Sequence, residues 1–244
     1  MTAVIDLTER VVLVAGASSG IGRAVALGAA DAGARVCLFA RDPARLREAE
    51  RAILDSGGEA VAVPGDAAVP EAAARAVRAA VERYGRLDAL VNTVGINVKN
   101  RALTALTSDT WHELITANLH AAYALTQAVL PVFRERGGGL LVHISSQVAK
   151  RPDASGVGYQ AAKTGLVGLA QATMEEEREN GVRVTVVYPG LTDTPLLDRR
   201  PTPPSAEARA KALHPGDVAF LCLAVIALPA RAHVPEVLIY PSRS

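Results

Sequence analysis

Residues Arg10 to Gly33 read RVVLVAGASSGIGRAVALGAADAG. The β-branched run from Arg10 to Ala15 predicts a short strand. It breaks into a turn carrying Gly16, Gly20 and Gly22, and RAVALGAADAG behind it predicts a helix of small residues closing on Gly33. A strand, a glycine turn and a helix in this order favour a phosphate at the helix N-terminus, where free backbone N–H groups and the positive end of the helix dipole point outward. The glycines let the backbone approach a pyrophosphate and let helix and strand pack closely, while Ser18, Ser19 and Ile21 fill the turn. The spacing is Gly-x-x-x-Gly-x-Gly, a weak pattern that its flanking strand and helix strengthen.

The second strand, Arg35 to Ala40, runs into Arg41 and Asp42 at the place where a dinucleotide fold chooses its ribose. Ala40 removes a carboxylate that would repel a 2′-phosphate, and Arg41 offers a planar fork for one, so NADP(H) is favoured and NAD(H) remains the alternative. The other reading of Arg41 is a surface pair with Asp42. A helix over Pro43 to Ser56 and a strand EAVAVPG lead to Asp66 and Ala67 at the ligand-binding rim. Asp66 either accepts from an adenine amino group or caps the helix that starts near Pro70. LDALVN then ends in Asn92 on the same rim, with Thr93 and Val94 next, and Gly95 permits close backbone approach. Ser108 to Phe133 reads as one long helix carrying Asn118, which either holds a water for proton relay or is a satisfied core amide.

Ser145 to Lys163, SSQVAKRPDASGVGYQAAK, carries the candidate chemistry. Tyr159 and Lys163 share one helix face. Ser146 follows the buried-strand run LLVHIS, so the three side chains can converge on an alcohol or carbonyl oxygen. A tyrosine with an ordinary pKa of about 10 is a poor base unless its phenolate is stabilised. Lys163 suffices for that only where water is partly excluded, since charge pairs are weak in bulk water. Ser146 would stabilise charge on the substrate oxygen. Taken alone, a Tyr-x-x-x-Lys pair is more often ordinary helix packing. His143 reads as a strand residue and not as a base.

At 244 residues, half of them apolar and 21% charged, the chain fits one soluble α/β domain over 1–244. A formal charge of +1 argues against nucleic acid or an anionic membrane as the main partner. MTAVIDLTER shows no signal-peptide pattern, and the apolar run from Ala219 to Ala230 is too short to span a bilayer, so a cytoplasmic protein is expected. Cys37 and Cys222 read as reduced core residues, and the five scattered histidines give no metal site. A helix from Tyr159 to about Glu179 precedes a sixth strand, VRVTVVY, which ends at Pro189-Gly190. The following stretch, Leu191 to His214, is rich in proline and charge and reads as a mobile substrate lid. Its Arg199 and Arg200 would either meet an acidic substrate or stay solvated.

From about Leu7 onward the chain resembles the short-chain dehydrogenase/reductase family of the ordinary, roughly 250-residue type. The resemblance rests on GASSGIG, Asp66, LVNTVG, Asn118, ISS ending at Ser146, YQAAK and PGLTDT, whose order and spacing together are specific. It implies a catalytic tetrad of Asn118, Ser146, Tyr159 and Lys163. Tyr159 would be the general acid in reduction and the base in oxidation, Ser146 would position the reacting oxygen, and Lys163 would lower the tyrosine pKa and hold the nicotinamide ribose. Asn118 would maintain a water relay. Pro189, Gly190, Thr192 and Thr194 would border the nicotinamide, with Thr194 on its carboxamide or on the diphosphate. Also implied are a doubly wound, parallel seven-stranded sheet of Rossmann type in the order 3-2-1-4-5-6-7 and a homodimer or homotetramer built through the helices of Asn118 and Tyr159.

The substrate would be a small carbonyl compound or alcohol, most simply with the chain acting as a ketone or aldehyde reductase. An NAD-linked alcohol dehydrogenase and a non-catalytic dinucleotide-binding protein are the alternatives. Ala15 and the Thr93-Val94 pair depart from the family pattern, where threonine and Asn-Ala are usual, so a hydrogen bond bracing the central strands is either missing or remade by Thr93. The C-terminus, HVPEVLIYPSRS, is more similar to NADP-dependent members acting on hydroxy acids and small aldehydes than to ketoacyl-carrier-protein reductases.

Overall fold

Alternate residues of the central strands face opposite ways, as the two-residue period of a strand requires. In β1 (Val11–Ala15), Val12 and Val14 enter one apolar cluster, and Val11, Leu13 and Ala15 enter another. β2 (Arg35–Ala40) splits likewise, with Val36 and Leu38 on the first side and Cys37 and Phe39 on the second. Strands buried on both faces need helices on both faces, which is the parallel α/β solution. The computed structural model describes residues 5–242, so the outermost residues of the domain expected over 1–244, and the last two of HVPEVLIYPSRS, lie outside the described residues.

The sheet has seven strands, all parallel, in the order β3-β2-β1-β4-β5-β6-β7, as the resemblance implies. The remaining strands are β3 (Glu59–Pro64), β4 (Ala89–Asn92), β5 (Gly139–Ile144), β6 (Val182–Pro189) and β7 (Glu236–Ile239). α1 (Gly20–Asp31), α2 (Pro43–Asp55) and α8 (Pro215–Ala227) cover one face; α3 (Pro70–Tyr84), α5 (Ala121–Glu135) and α6 (Val157–Glu176) cover the other. α4 (Ser108–Ile115) leads into α5, and α7 (Ala206–Ala210) lies before α8. The order reverses between β1 and β4, which opens a crevice at the carboxyl ends of the strands where ligands bind in such sheets. Cys37 and Cys222 are buried free thiols in opposite clusters, so the sheet itself separates them.

The long helix expected over Ser108 to Phe133 is interrupted. A π turn over Thr116–His120, closed by the Ala121 N–H on the Thr116 carbonyl, separates α4 from α5, and this extra residue rotates Asn118 inward. The segment 191–214 also carries more structure than a bare loop, with a 3-10 turn at Pro195–Arg199 and the short α7. Its two ends are joined by Leu213 donating to the Leu191 carbonyl at 2.9 Å and Asp193 donating to the Leu213 carbonyl at 2.8 Å.

Thr93 replaces the missing brace of the central strands. Its hydroxyl donates to the Ala15 carbonyl at 2.8 Å, beside its own N–H on the same oxygen at 2.9 Å. The same hydroxyl lies against Gly16 and Gly22, so closely that a Cβ at either position would overlap it. These glycines therefore serve the packing of the turn against β4, and Gly16 also holds φ +86, a left-handed conformation.

His143 of β5 is fully buried between Asn92, whose Nδ2 lies 3.2 Å from its Nδ1, and Thr126 of α5, whose Oγ1 lies 3.4 Å from its Nε2. Asn92 donates to Nδ1, which leaves the proton on Nε2 facing a threonine whose own proton goes to the Ala122 carbonyl. Burial first, and the Lys163 cation second, push the imidazole down to about 4 from its ordinary 6.5. The unfolded chain then takes up a proton below about pH 6.5 that the folded chain refuses. Stability is complete above that pH and is lost as pH falls toward 4, by on the order of 3 kcal/mol. His143→Gln is expected to flatten this stretch of the curve; urea unfolding at pH 7 and pH 5 of both proteins measures it, and equal pH-dependence in the two would refute the assignment.

Candidate active site

One cleft of 610 Å³ runs along the carboxyl rim of the sheet. Its floor begins at the β1–α1 turn. Ser19 takes the N-cap position of α1 in extended conformation but makes no side-chain cap, and no acidic residue occupies the first turn. The N-terminal N–H groups and the dipole thus face the cleft without a built-in anion, which suits a diphosphate. Ser18, Gly20 and Ile21 line the same place, and a Cβ on Gly20 would lie 3.2 Å from Thr194 Cγ2, so Thr194 closes the turn from above.

At the end of β2, Arg41 is exposed and lines the cleft beside Ala40. Asp42 does not pair with it. Asp42 caps α2 through Ala44 and Arg45 at 3.0 and 3.1 Å and sits 3.6 Å from the Arg45 guanidinium. Arg41 instead approaches Asp66 at 3.9 Å, a loose exposed pair of small energetic weight. Asp66 also departs from one of its two sequence readings: its carboxylate accepts from Ala68 N–H at 2.9 Å, while Val69 is the N-cap of α3 and makes no side-chain cap. Ala67 is buried beneath it in the cleft wall.

The far end of the cleft holds the Ser146, Tyr159 and Lys163 side chains. Ser146 stands two residues beyond β5, in extended conformation at the head of a 3-10 turn whose Val148 N–H donates to its hydroxyl at 3.4 Å. Tyr159 and Lys163 lie one turn apart on α6, both buried. Lys163 Nζ donates to the Ile144 carbonyl at 2.9 Å and reaches that of Val94 at 3.5 Å, and burial lowers its pKa to about 8. α6 is fastened to β5 where it carries this lysine, because Ser145 Oγ donates to the Lys163 carbonyl at 3.0 Å.

Burial raises the Tyr159 phenol to about 12. Opposing that rise are the Ser146 hydroxyl first, then the Arg101 and Arg200 cations, while the Asp153 carboxylate adds to it. The sequence reading gave the lowering role to Lys163. Its ammonium sits 5.9 Å from the ring centroid and donates to the Ile144 and Val94 main-chain carbonyls.

Gly95, Pro189, Gly190, Thr192 and Thr194 line the cleft with these residues. A Cβ on Gly95 would meet Asn118 Oδ1 at 2.8 Å and Lys163 Nζ at 3.1 Å, so only glycine fits between them. The Thr192 hydroxyl is spent on the Gly190 carbonyl at 3.0 Å. Two expected site residues stand behind the cleft instead of on it. Asn92 is buried on His143 and accepts from the Val94 N–H at 3.0 Å. Asn118 donates to the Ile96 and Leu114 carbonyls at 3.0 and 2.8 Å and accepts from Ile96 N–H at 3.1 Å. Both amide protons are spent in clamping the strand exit and α4 to the π turn, which fits the satisfied-core-amide reading. Residues that sequence reasoning passed over complete the rim: Arg101, Asn97 and Ser155 are buried there, with Asp153 beside them. No local pattern marks them, because they meet only when the loop after β4 folds over the start of α6.

Among the described residues no group of three or more His, Cys, Asp or Glu is placed to hold a metal ion, and no helix is long and apolar enough to cross a membrane.

The chain is similar in sequence and fold to known proteins. Levodione reductase of Leifsonia aquatica is 33% identical over 196 residues, which cover 78% of this chain and 72% of the relative. A metagenomic short-chain oxidoreductase solved in complex with NADP is 34% identical with a TM-score of 0.83, covering 98% of this chain and 99% of that one. The 3-ketoacyl-(acyl-carrier-protein) reductase from Brucella melitensis, solved with NADH, is 26% identical with a TM-score of 0.88 over 98% and 99% of the two chains. The family model described as short chain dehydrogenase matches residues 10–204, from the first strand through the glycine turn, Ser146, Tyr159 and Lys163 into the segment beyond β6. A match of that extent, on a sheet of this order, makes the chain a member of the short-chain dehydrogenase/reductase family of oxidoreductases.

Proposed function

We propose that this chain is an NADP(H)-dependent reductase of ketones or aldehydes, working in the opposite direction as an alcohol dehydrogenase. The observation that carries the reading is a single cleft with an uncapped helix N-terminus and Arg41 at one end and the Ser146, Tyr159 and Lys163 side chains at the other. Gly16, Ser18, Ser19, Gly20, Ile21 and Gly22 fit a diphosphate, and Arg41 beside Ala40 fits a 2′-phosphate, for which the loose pair with Asp66 is easily exchanged. Asp66 and Ala67 would border the adenine. Gly95, Pro189, Gly190, Thr192 and Thr194 would border the nicotinamide. When bound, NADPH would supply the hydride that adds to the carbonyl carbon.

The protein residues then handle the oxygen and its proton. As the carbon–oxygen π pair moves onto oxygen, the Ser146 hydroxyl donates to the developing oxyanion. Tyr159 holds its proton across neutral pH, because burial keeps the phenol near 12, and gives it to that oxygen to complete the alcohol. Lys163, still cationic below about pH 8, supports the phenolate left behind and would hold the nicotinamide ribose. Asn92 and Asn118 act as positioning residues, since their amides fix the main chain on either side of Gly95. The segment 191–214 would form a lid over the substrate end, and self-association would use α5 and α6, which expose Tyr123 and Val157.

Tyr159→Phe is expected to lower carbonyl reduction by roughly 100-fold or more while leaving NADPH binding intact. Dinucleotide binding without any turnover in the unmodified protein would point to the non-catalytic alternative. The rate of reduction should be flat below about pH 8 and fall above it as Lys163 loses its proton, and a pH–rate profile that keeps rising to pH 10 would contradict this. Arg41→Ala should reduce the preference for NADPH over NADH by roughly tenfold or more, given the strength of charge-assisted hydrogen bonds. An unchanged ratio of kcat/KM for the two cofactors would move the assignment to NAD.

A further inference from the structure

Arg101 belongs to no motif, yet it is buried, only 7% exposed, at the substrate end of the cleft. Its Nε donates to the Val98 carbonyl at 2.9 Å and its Nη2 to the Arg199 carbonyl at 2.8 Å. Its Cβ packs on Gly156, the N-cap of α6, where φ is +94 and a side chain would overlap the arginine. The residue thus joins three segments: the loop after β4, the start of α6 and the turn at Pro195–Arg199. Among the described residues neither Arg101 nor Arg200 has a carboxylate in ion-pairing range. The neighbouring Arg209 shows the contrast, bound to both Asp193 and Asp198.

Arg200 also lines the cleft, and the charges of Arg101, Arg200 and Asp153 all bear on the Tyr159 phenol. Arg101 is made harder to keep charged, first by its burial and then by Arg200. Asp153 is the one opposing charge among these three, and its Oδ1 is already engaged by the Ser155 N–H at 2.8 Å. A buried guanidinium left without an anion, next to a second one, is costly to maintain for structure alone. Two guanidinium forks facing one space match a carboxylate in bidentate fashion.

Resting on the reductase reading above, we propose that the substrate is an oxo acid, or the matching hydroxy acid in the reverse direction, with its carboxylate bound by Arg101 and Arg200 while its carbonyl lies between Ser146 and Tyr159. The subsite is separate from Arg41, which stands at the other end of the cleft by the glycine turn.

The test measures kcat/KM with NADPH for oxo acids and for their methyl esters, which share the carbon skeleton without the charge. Acids should be favoured by roughly tenfold or more, and Arg200→Gln should collapse that ratio mainly through KM of the acid. Arg101→Lys, which keeps the charge but not the fork, should lower the ratio in part, whereas a merely structural Arg101 would lower acid and ester turnover together. Equal acid and ester turnover, both lost in Tyr159→Phe, would overturn the carboxylate subsite and leave the reductase reading standing. Absence of NADPH binding would overturn both. Where NADPH binds, malonate should inhibit or bind at least tenfold more tightly than malonamide. Parity of the two would overturn the subsite even without a reducible substrate. Inorganic phosphate competing as well as malonate at the substrate end would overturn the choice of a carboxylate.

Discussion

The site depends on keeping one ammonium group inside the protein. Lys163 is almost fully buried, and what compensates its charge is a pair of main-chain carbonyls, Ile144 at the end of β5 and Val94 just past β4. Those oxygens come together only because β4 and β5 are neighbours and end at the same rim. The helix carrying the lysine must also run close enough to be fastened by Ser145. A side chain placed at Gly95 would press on both Nζ and the Asn118 amide. The position of one charge therefore explains a strand order, a glycine and the π turn that brings Asn118 inward.

Burial moves the two titratable members of the site in opposite directions, because it penalises whichever form is charged. Tyr159 rises to about 12 and Lys163 falls to about 8. The result is a phenol that keeps its proton and an amine near the edge of losing one. The pair is suited to delivering a proton at neutral pH, and groups on the substrate side of the tyrosine oppose its rise. Ser146 is the nearest of these, and the Arg101 and Arg200 cations follow.

Much of this was legible in the sequence, and what was not has a common physical cause. The strand, glycine turn and helix at Val11–Asp31 were readable because each feature is local: β-branched residues, glycines, a small-residue helix. So were the convergence of Ser146 with Tyr159 and Lys163, and the two-sided burial of the strands. Asn92 ends β4 and was expected on the rim, but its side chain turns behind it onto His143, whereas Asn118 takes the satisfied-core-amide alternative on Ile96 and Leu114. Arg41 does not form the pair with Asp42 that was its alternative reading, since Asp42 is drawn away to cap α2 and Asp66 arrives from the end of β3. Thr93 was read correctly as one way of replacing a lost brace, and it does so through the Ala15 carbonyl.

Arg101 links the segment 191–214 to the cleft that holds Ser146, Tyr159 and Lys163. The segment 191–214 is tied at its base by Leu191, Asp193 and Leu213 and internally by Arg209. The Arg101 guanidinium donates to the Arg199 carbonyl of this segment, and the Arg101 Cβ packs on Gly156, the N-cap of α6. Movement of this segment must lengthen or break that bond, leaving the buried cation with one fewer acceptor. An anion entering the cleft would replace the lost acceptor and be covered as the segment returns. In the proposed lid and carboxylate subsite, specificity and closure would be a single electrostatic event, because the charge proposed to recognise the ligand is the one bonded to the segment.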